Sequence, residues 1–473
     1  MTLTDPTHSS DVDNSDGYLY LQGNFAPVTE EVTVTALDVD GAIPPALTGR
    51  YVRTGPNPIQ PDEDAYHWFL GDGMLHGLRL DGGNAEWYRN RWVRTSETAT
   101  ALGESFAMPR EEGGIYEGMG NTNVVHHGGR VWALTEGALP IEIGPGLETV
   151  ASRNFGGPLA AGINAHPKFD PRTNELHAMS YAWFAPHAYY QVISVDGRVI
   201  RSEPVDVGGP VMIHDMALTE RYAVVFDLPV VFDFGLVENG SRLPYRWNAD
   251  YTPRIGLVLR DGTATDTTWI TLDESLYVYH VLNSYDLADG TGKLVIDLVV
   301  HPRAFDDRRG DPSQGEPFLE RWTVDPAAGT VRRDVIDARG QEFPRADERL
   351  SGLPYRFGYS LGYPELAAMG TTKVDAGEVA VLKHDVVAGS TREKWIGPGV
   401  VPSELVFVPA SPTAAEDEGW LVGYAFDRAR GASDLVILDA HDWDAPPVAT
   451  VHLPVRVPVG FHGNWIPDAS VLA

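Results

Sequence analysis

AHPKFDPRTNELHAMSYAWF (165–184) holds the reading that decides the fold. DPRTN (170–174) is a cluster of turn formers, and ELHAMSYAWF (175–184) is a short run of strand-favouring residues behind it. His166 stands just ahead of the turn, where a strand ends or bends. Outward from this unit the same pattern recurs along the chain. Strand-like runs include GRVWALTE (129–136), YAVVFDLPVVF (222–232), RIGLVLR (254–260), KLVIDLVVHP (293–302), EVAVLKHDVV (378–387), EGWLVGYAFD (418–427) and SDLVILDA (433–440). DGG (81–83), LADGTG (287–292) and VDAGE (374–378) read as turns between them. Helical windows are weak, around 95–108 and 235–250, and no strand–helix alternation of a parallel α/β fold is present.

Many short strands in one undivided chain point to an all-β propeller, whose blades leave few exposed sheet edges. Across residues 18–473, seven blades average about 65 each, with room for loops on one face. The expected organisation is a disordered tail over residues 1–17 and a single propeller domain over 18–473, with a loop and helix dome.

The composition narrows the function. A net charge of −30 repels phosphate backbones, which argues against nucleic acid as a partner. With no cysteine, disulfides, Fe–S clusters and cysteine–zinc sites are excluded, so any metal is held by nitrogen and oxygen. The polar N-terminus MTLTDPTHSSDVDNSDG has no apolar signal-peptide core, and no apolar run is long enough for a spanning helix; a cytoplasmic location is expected.

Four histidines occupy comparable strand-end contexts: His166 in AHPKFDP, His214 in VMIHDMAL, His280 in YVYHVLNSYD and His462 in VGFHGNW. They lie too far apart for a local metal loop. A propeller brings one inner strand per blade to a common axis, so four such residues can form a ring of imidazoles around one ion. Ligating histidines usually give their second N–H to a carboxylate, and Glu136, Glu342 and Glu404 stand in apolar settings suited to that. The residues alone leave alternatives open, since His67, His76, His126 and His127 are similarly placed.

The chain resembles the carotenoid cleavage oxygenase family. The resemblance rests on GRYVRTGPNP (49–58), HWFLGDGMLHGL (67–78), NTNVVHHGGRVWALTEG (121–137), MIHDMALTERYAVVFDLP (212–229), YHVLNSYD (279–286), QEFPRADERLSGLPYRFGY (341–359), PSELVFVP (402–409) and FHGNW (461–465), in family order. It implies a seven-bladed propeller with one axial iron(II) held by His166, His214, His280 and His462. Glu136, Glu342 and Glu404 would pair with the last three, leaving His166 without a carboxylate. It also implies cleavage of an alkene by O₂ into two carbonyl products. Thr122 matches a position beside the iron; Phe69 and Trp92 match positions lining the substrate tunnel.

Stilbene-cleaving relatives carry Tyr where this chain has Trp92, and Lys where it has Thr135. That departure favours an apolar carotenoid or apocarotenoid over a phenolic stilbenoid. A stilbenoid-cleaving enzyme, an isomerohydrolase and an inactive binding propeller are the rival readings. FDLPVVFDFGLV (226–237) reads either as a buried strand and loop or as an apolar patch touching a membrane at the tunnel mouth. A monomer is expected.

Overall fold

The structure, a computed structural model, describes residues 19–62, 66–306, 312–363 and 379–471; the tail expected over 1–17 lies outside the described residues. Seven antiparallel sheets of four or more strands form a propeller, as the turn and strand pattern implied. In chain order the inner strands are Asn123–His127, Lys168–Asp170, Met216–Leu218, Val281–Asp286, Gln341–Ala346, Val406–Pro409 and Gly463–Pro467. Neighbouring inner strands lie side by side around the axis.

The last of these closes the ring. Gly463–Pro467 pairs with Gly49–Pro56, so the C-terminal strand completes the blade that also contains Gly73–Asp81 and Asn84–Trp92. A second closure joins Asp38–Gly41 to Ala449–His452 at the outer edge of the preceding blade. Packing at the first closure is tight: a Cβ on Gly463 would come within 2.8 Å of the Tyr51 hydroxyl and 2.9 Å of the Val52 carbonyl. Only glycine lets the two strands approach this closely.

Because the strands alternate in direction, connections fall on two distinct faces. Short turns such as 82–83, 128–129 and 171–174 lie on the face where the inner strands end. Longer connections, 93–122 and 228–253 among them, lie on the face where the inner strands begin. This second face is the dome. Its helices are shorter than the sequence suggested, Ser96–Ala101 and Phe234–Glu238.

The run 222–232 is also not one strand. Tyr222–Asp227 belongs to a blade, whereas Val230–Phe232 pairs with Tyr245–Trp247 in a separate hairpin. Pro229 lies in the break and has no N–H to donate to a ladder.

Blades stack face to face, so middle strands are buried on both sides. Leu294–Val300 is buried throughout. Asp297 within it is satisfied by Arg321 at 2.7 and 2.8 Å and by the Tyr355 hydroxyl at 2.6 Å. An unpaired carboxylate there would cost several kcal/mol.

Candidate metal centre

All four histidines sit one or two residues ahead of an inner strand, at the dome end of the axis. His166 precedes Lys168–Asp170, His214 precedes Met216–Leu218, His280 precedes Val281–Asp286 and His462 precedes Gly463–Pro467. The start of an inner strand is the one position that every blade presents to the axis at the same height. One nitrogen from each histidine lies within 4.8 Å of the others, forming a group able to hold a metal ion.

Carboxylates set the orientation of three rings. Glu342 Oε2 accepts from His280 Nδ1 at 2.6 Å, and Glu404 Oε1 from His462 Nδ1 at 2.9 Å. Glu136 Oε1 lies against His214 Nδ1. With Nδ1 protonated toward a carboxylate, each neutral ring turns an Nε2 lone pair to the centre. His280 Nε2 then faces His462 Nε2 at 3.1 Å and His214 Nε2 at 3.3 Å, with no proton to share. His166 Nε2 is buried with no hydrogen-bond partner. Acceptors that converge without donors fit a cation.

The electrostatics agree. Burial, reinforced by the surrounding imidazoles, holds His166 well below the ordinary histidine range. Burial also pushes His280 down, against the pull of Glu342. For His214 burial acts downward as well, but Glu136 outweighs it and the ring is raised. Burial favours neutral carboxyls, yet His280 and His301 hold Glu342 well below the usual carboxylate range. His462 and Arg345 likewise hold Glu404 at about 2. Both glutamates are therefore anions behind a ring of imidazoles.

The remaining predicted residues occupy different settings. Thr122 directly precedes the inner strand Asn123–His127, and its carbonyl accepts from His462 N at 3.1 Å, so it adjoins the ring. Phe69 belongs to an aromatic wall with Trp68 and Phe461, the residue before His462. Thr135 Oγ1 is occupied by the Gly120 and Asn121 amides at 2.7 and 3.3 Å. Trp92 lies three strands out from the inner strand of its blade, and its indole N–H is spent on the Asn57 carbonyl at 2.9 Å. The other candidate histidines stay apart from the ring: His76 bonds the Tyr88 hydroxyl, His127 bonds the Ser194 carbonyl, and His67 Nδ1 accepts from Phe69 N. His126 lines a polar axial cavity of about 330 Å³ that extends along the inner strands from the ring.

Sequence reasoning missed several partners. His301 Nε2 shares Glu342 with His280, bonding Oε1 at 2.7 Å, and the Tyr181 hydroxyl bonds Glu136. Phe343 stacks on His280 and adopts a left-handed backbone (φ 56°), a strained conformation of the kind that collects at functional sites. The only sequence signal for His301 was its place in LVVHP, directly after the strand Leu294–Val300, whereas the four ring histidines come ahead of theirs.

Comparison with known proteins places the chain. The RPE65 (retinal pigment epithelial membrane protein) family matches residues 25–467. A carotenoid cleavage oxygenase of Mycobacterium tuberculosis is 42% identical over 95% of this chain and 97% of its own length. The chain belongs to the carotenoid cleavage oxygenase family. The resemblance read from its motifs is thereby borne out, and it is an enzyme of the dioxygenase class. A carotenoid 9,10(9',10')-cleavage dioxygenase of Phaseolus vulgaris is 32% identical over 97% of this chain and 91% of its own. Among solved structures, the lignostilbene dioxygenase of Pseudomonas brassicacearum superposes with a TM-score of 0.84 at 27% identity, covering 95% of this chain and 98% of that one. Cobalt-substituted Synechocystis apocarotenoid oxygenase gives 0.80 at 26%, covering 96% and 99%.

Proposed function

We propose that this oxygenase holds one iron(II) ion at His166, His214, His280 and His462 and uses O₂ to cleave a double bond of a carotenoid or apocarotenoid. The observation carrying this reading is the ring of convergent Nε2 atoms backed by Glu136, Glu342 and Glu404. Iron(II) bound there supplies O₂ activation for adding both oxygen atoms across an alkene, giving two carbonyl fragments. The chain's own residues orient and enclose. The three carboxylates fix each ring's tautomer and offset the ion's charge, which four neutral ligands leave uncompensated. Phe343 stacks on His280, while Phe69, Trp68 and Phe461 form an apolar aromatic wall beside His462. Such a wall suits a polyene and excludes water. The reaction as written needs no side-chain base or nucleophile, and none is assigned.

The similarity to a lignostilbene dioxygenase makes a stilbenoid the second reading. Thr135 and Trp92 argue against it. The Thr135 oxygen accepts from two backbone amides while its O–H turns to Asn121 Oδ1 at 3.4 Å, and the Trp92 indole is committed to a carbonyl, so neither is free to grip a phenol oxygen.

An apolar substrate is collected from lipid, and part of the dome supports such contact. Phe226, Leu228, Val230 and Val231 are buried, so the first half of 226–237 is core. Phe234, 56% exposed, and Val237 join Trp183, 44% exposed, in an outward aromatic patch. This patch is proposed as the site of peripheral membrane contact by a cytoplasmic monomer. Among the described residues no helix is long and apolar enough to cross a membrane.

The test is anaerobic purification with iron quantified, then incubation in air with β-carotene, apocarotenals and resveratrol, reading product masses. Aldehyde pairs from a polyene support the proposal. Products from resveratrol alone favour the stilbenoid reading, and bound iron with no cleavage refutes both.

A further inference from the structure

A second cavity, of about 450 Å³, opens on the dome face between the segment 22–25 and the blade containing Gly419–Asp427. Its inner end meets Phe343 and Glu404. Three arginines line it: Arg53 at depth, only 2% exposed, Arg456 partly buried, and Arg428 exposed on a turn. In a chain of net charge −30, three guanidiniums around one cavity stand out.

Among the described residues none of the three is paired with a carboxylate. Arg53 gives one N–H to the Pro458 carbonyl and lies over the Tyr424 ring. Arg456 reaches the carbonyls of Asn24 at 3.1 Å and Pro27 at 3.4 Å. Glu404 is the one acid of the lining, and it is already engaged by His462 and the Gly463 amide. Three buried polar atoms on lining residues lack any partner: Arg53 Nε, Asn24 Oδ1 and the Tyr424 hydroxyl. Buried polar groups are almost always satisfied, so the two unmet donors among them, Arg53 Nε and the Tyr424 hydroxyl, beside unpaired cations point to an absent anion, with Asn24 Oδ1 an acceptor that takes no part in holding it. Burial pushes both Arg53 and Arg456 below the ordinary guanidinium range; nearby tyrosines and Glu404 only partly offset it for Arg53, and nothing offsets it for Arg456 among the described residues.

The rest of the wall is apolar, including Val401, Val457, Val459 and Phe25. The volume lies in the range of about 300–1,000 Å³ typical of small-molecule sites. A bare phosphate would leave those walls wet, whereas an amphiphile with a carboxylate head satisfies both parts. Guanidinium groups match a carboxylate with two parallel hydrogen bonds.

We propose that this cavity binds an apolar monocarboxylate, its head group held by Arg53 and Arg456 after attraction by Arg428. None of the four histidines lines the cavity, which adjoins their ring only through Phe343 and Glu404, and binding needs neither metal nor turnover, so it stands or falls apart from the proposed cleavage reaction.

The test is calorimetric titration of the full chain with dodecanoate, with dodecanol and inorganic phosphate as comparison probes. Dodecanoate is expected to bind at one site, with dodecanol and phosphate each at least tenfold weaker. Arg456→Gln should weaken dodecanoate at least tenfold, and Arg428→Gln a few-fold, with melting temperatures of the unliganded variants unchanged. Arg53 is too deeply packed for a clean substitution, so Arg456 carries the decision. Dodecanol binding as tightly as dodecanoate, phosphate binding as tightly, or an unaltered affinity in Arg456→Gln would each overturn the proposal.

Discussion

Replacing Glu342 tests how far the carboxylates control the ring. Its two oxygens serve two imidazoles, His280 Nδ1 at 2.6 Å and His301 Nε2 at 2.7 Å. A hydrogen bond to a charged group contributes about 1.5–3 kcal/mol net. Only the His280 bond bears on the proposed metal, because His301 is not one of the four converging histidines and keeps the Ser313 hydroxyl at 2.9 Å. At about 1.4 kcal/mol per tenfold, Glu342→Ala should weaken metal affinity about 10- to 100-fold. That agrees with the range of about 10- to 100-fold found when a partner behind a ligating histidine is lost. Glu342→Gln should fall between. Its carbonyl can keep His280 in the required tautomer, while its NH₂ forces His301 to invert and donate from Nδ1 to Ser313. The assay is an anaerobic competition titration of iron(II) against a chelator, with cobalt(II) as an air-stable substitute. Melting of the metal-free variants checks the fold. An alanine variant that stays folded and binds metal within about threefold of wild type would refute the reasoning, given that loss of such a partner costs about tenfold or more.

Three further outcomes follow from the same structure. His280→Ala should abolish metal retention and turnover together, and a variant with full metal occupancy would show the ligand set to be wrong. His177, bonded to Tyr190 and Arg260, is pushed down to about 3 by burial and by Arg260. Above its unfolded value of about 6.5 it contributes no pH dependence, but below that only the unfolded chain takes the proton. Stability should therefore fall by up to about 1.4 kcal/mol per pH unit until pH approaches the folded value. Between pH 6.5 and 5 the melting curves of His177→Gln should be the shallower, and identical slopes would contradict this assignment. Phe234→Glu should reduce co-sedimentation with zwitterionic lipid vesicles without altering melting, and unchanged partition would remove the exposed aromatic patch from consideration.

Strand positions were legible because alternation, β-branched runs and turn clusters are local properties of the chain. GRVWALTE (129–136) became Arg130–Leu134, and SDLVILDA (433–440) matches Ala432–Asp439 to within one residue at each end. The helical windows shrank because Ser96–Ala101 and Phe234–Glu238 are single turns within dome connections, too short for periodicity to define. The run 222–232 misled because apolar content does not reveal that Pro229 parts it into two sheets. The histidines and glutamates were legible from a family pattern of motifs, not from their spacing. Trp92 and Thr135 show the limit of that pattern: it matched their positions but not the hydrogen bonds that occupy their polar groups.

By itself the sequence determined the strand grammar, the absence of cysteine ligands, the acidic surface and the identity of the residues now found at the axis. Only the tertiary structure decided that those residues meet. Their convergence depends on a closed ring of blades, completed where Gly463–Pro467 pairs with Gly49–Pro56. It likewise decided that His301 shares Glu342, and that Arg53, Arg428 and Arg456 line one cavity without counter-ions among the described residues. Hydrogen bonds and unpaired charges are relations between distant segments, and they exist only once the blades are packed.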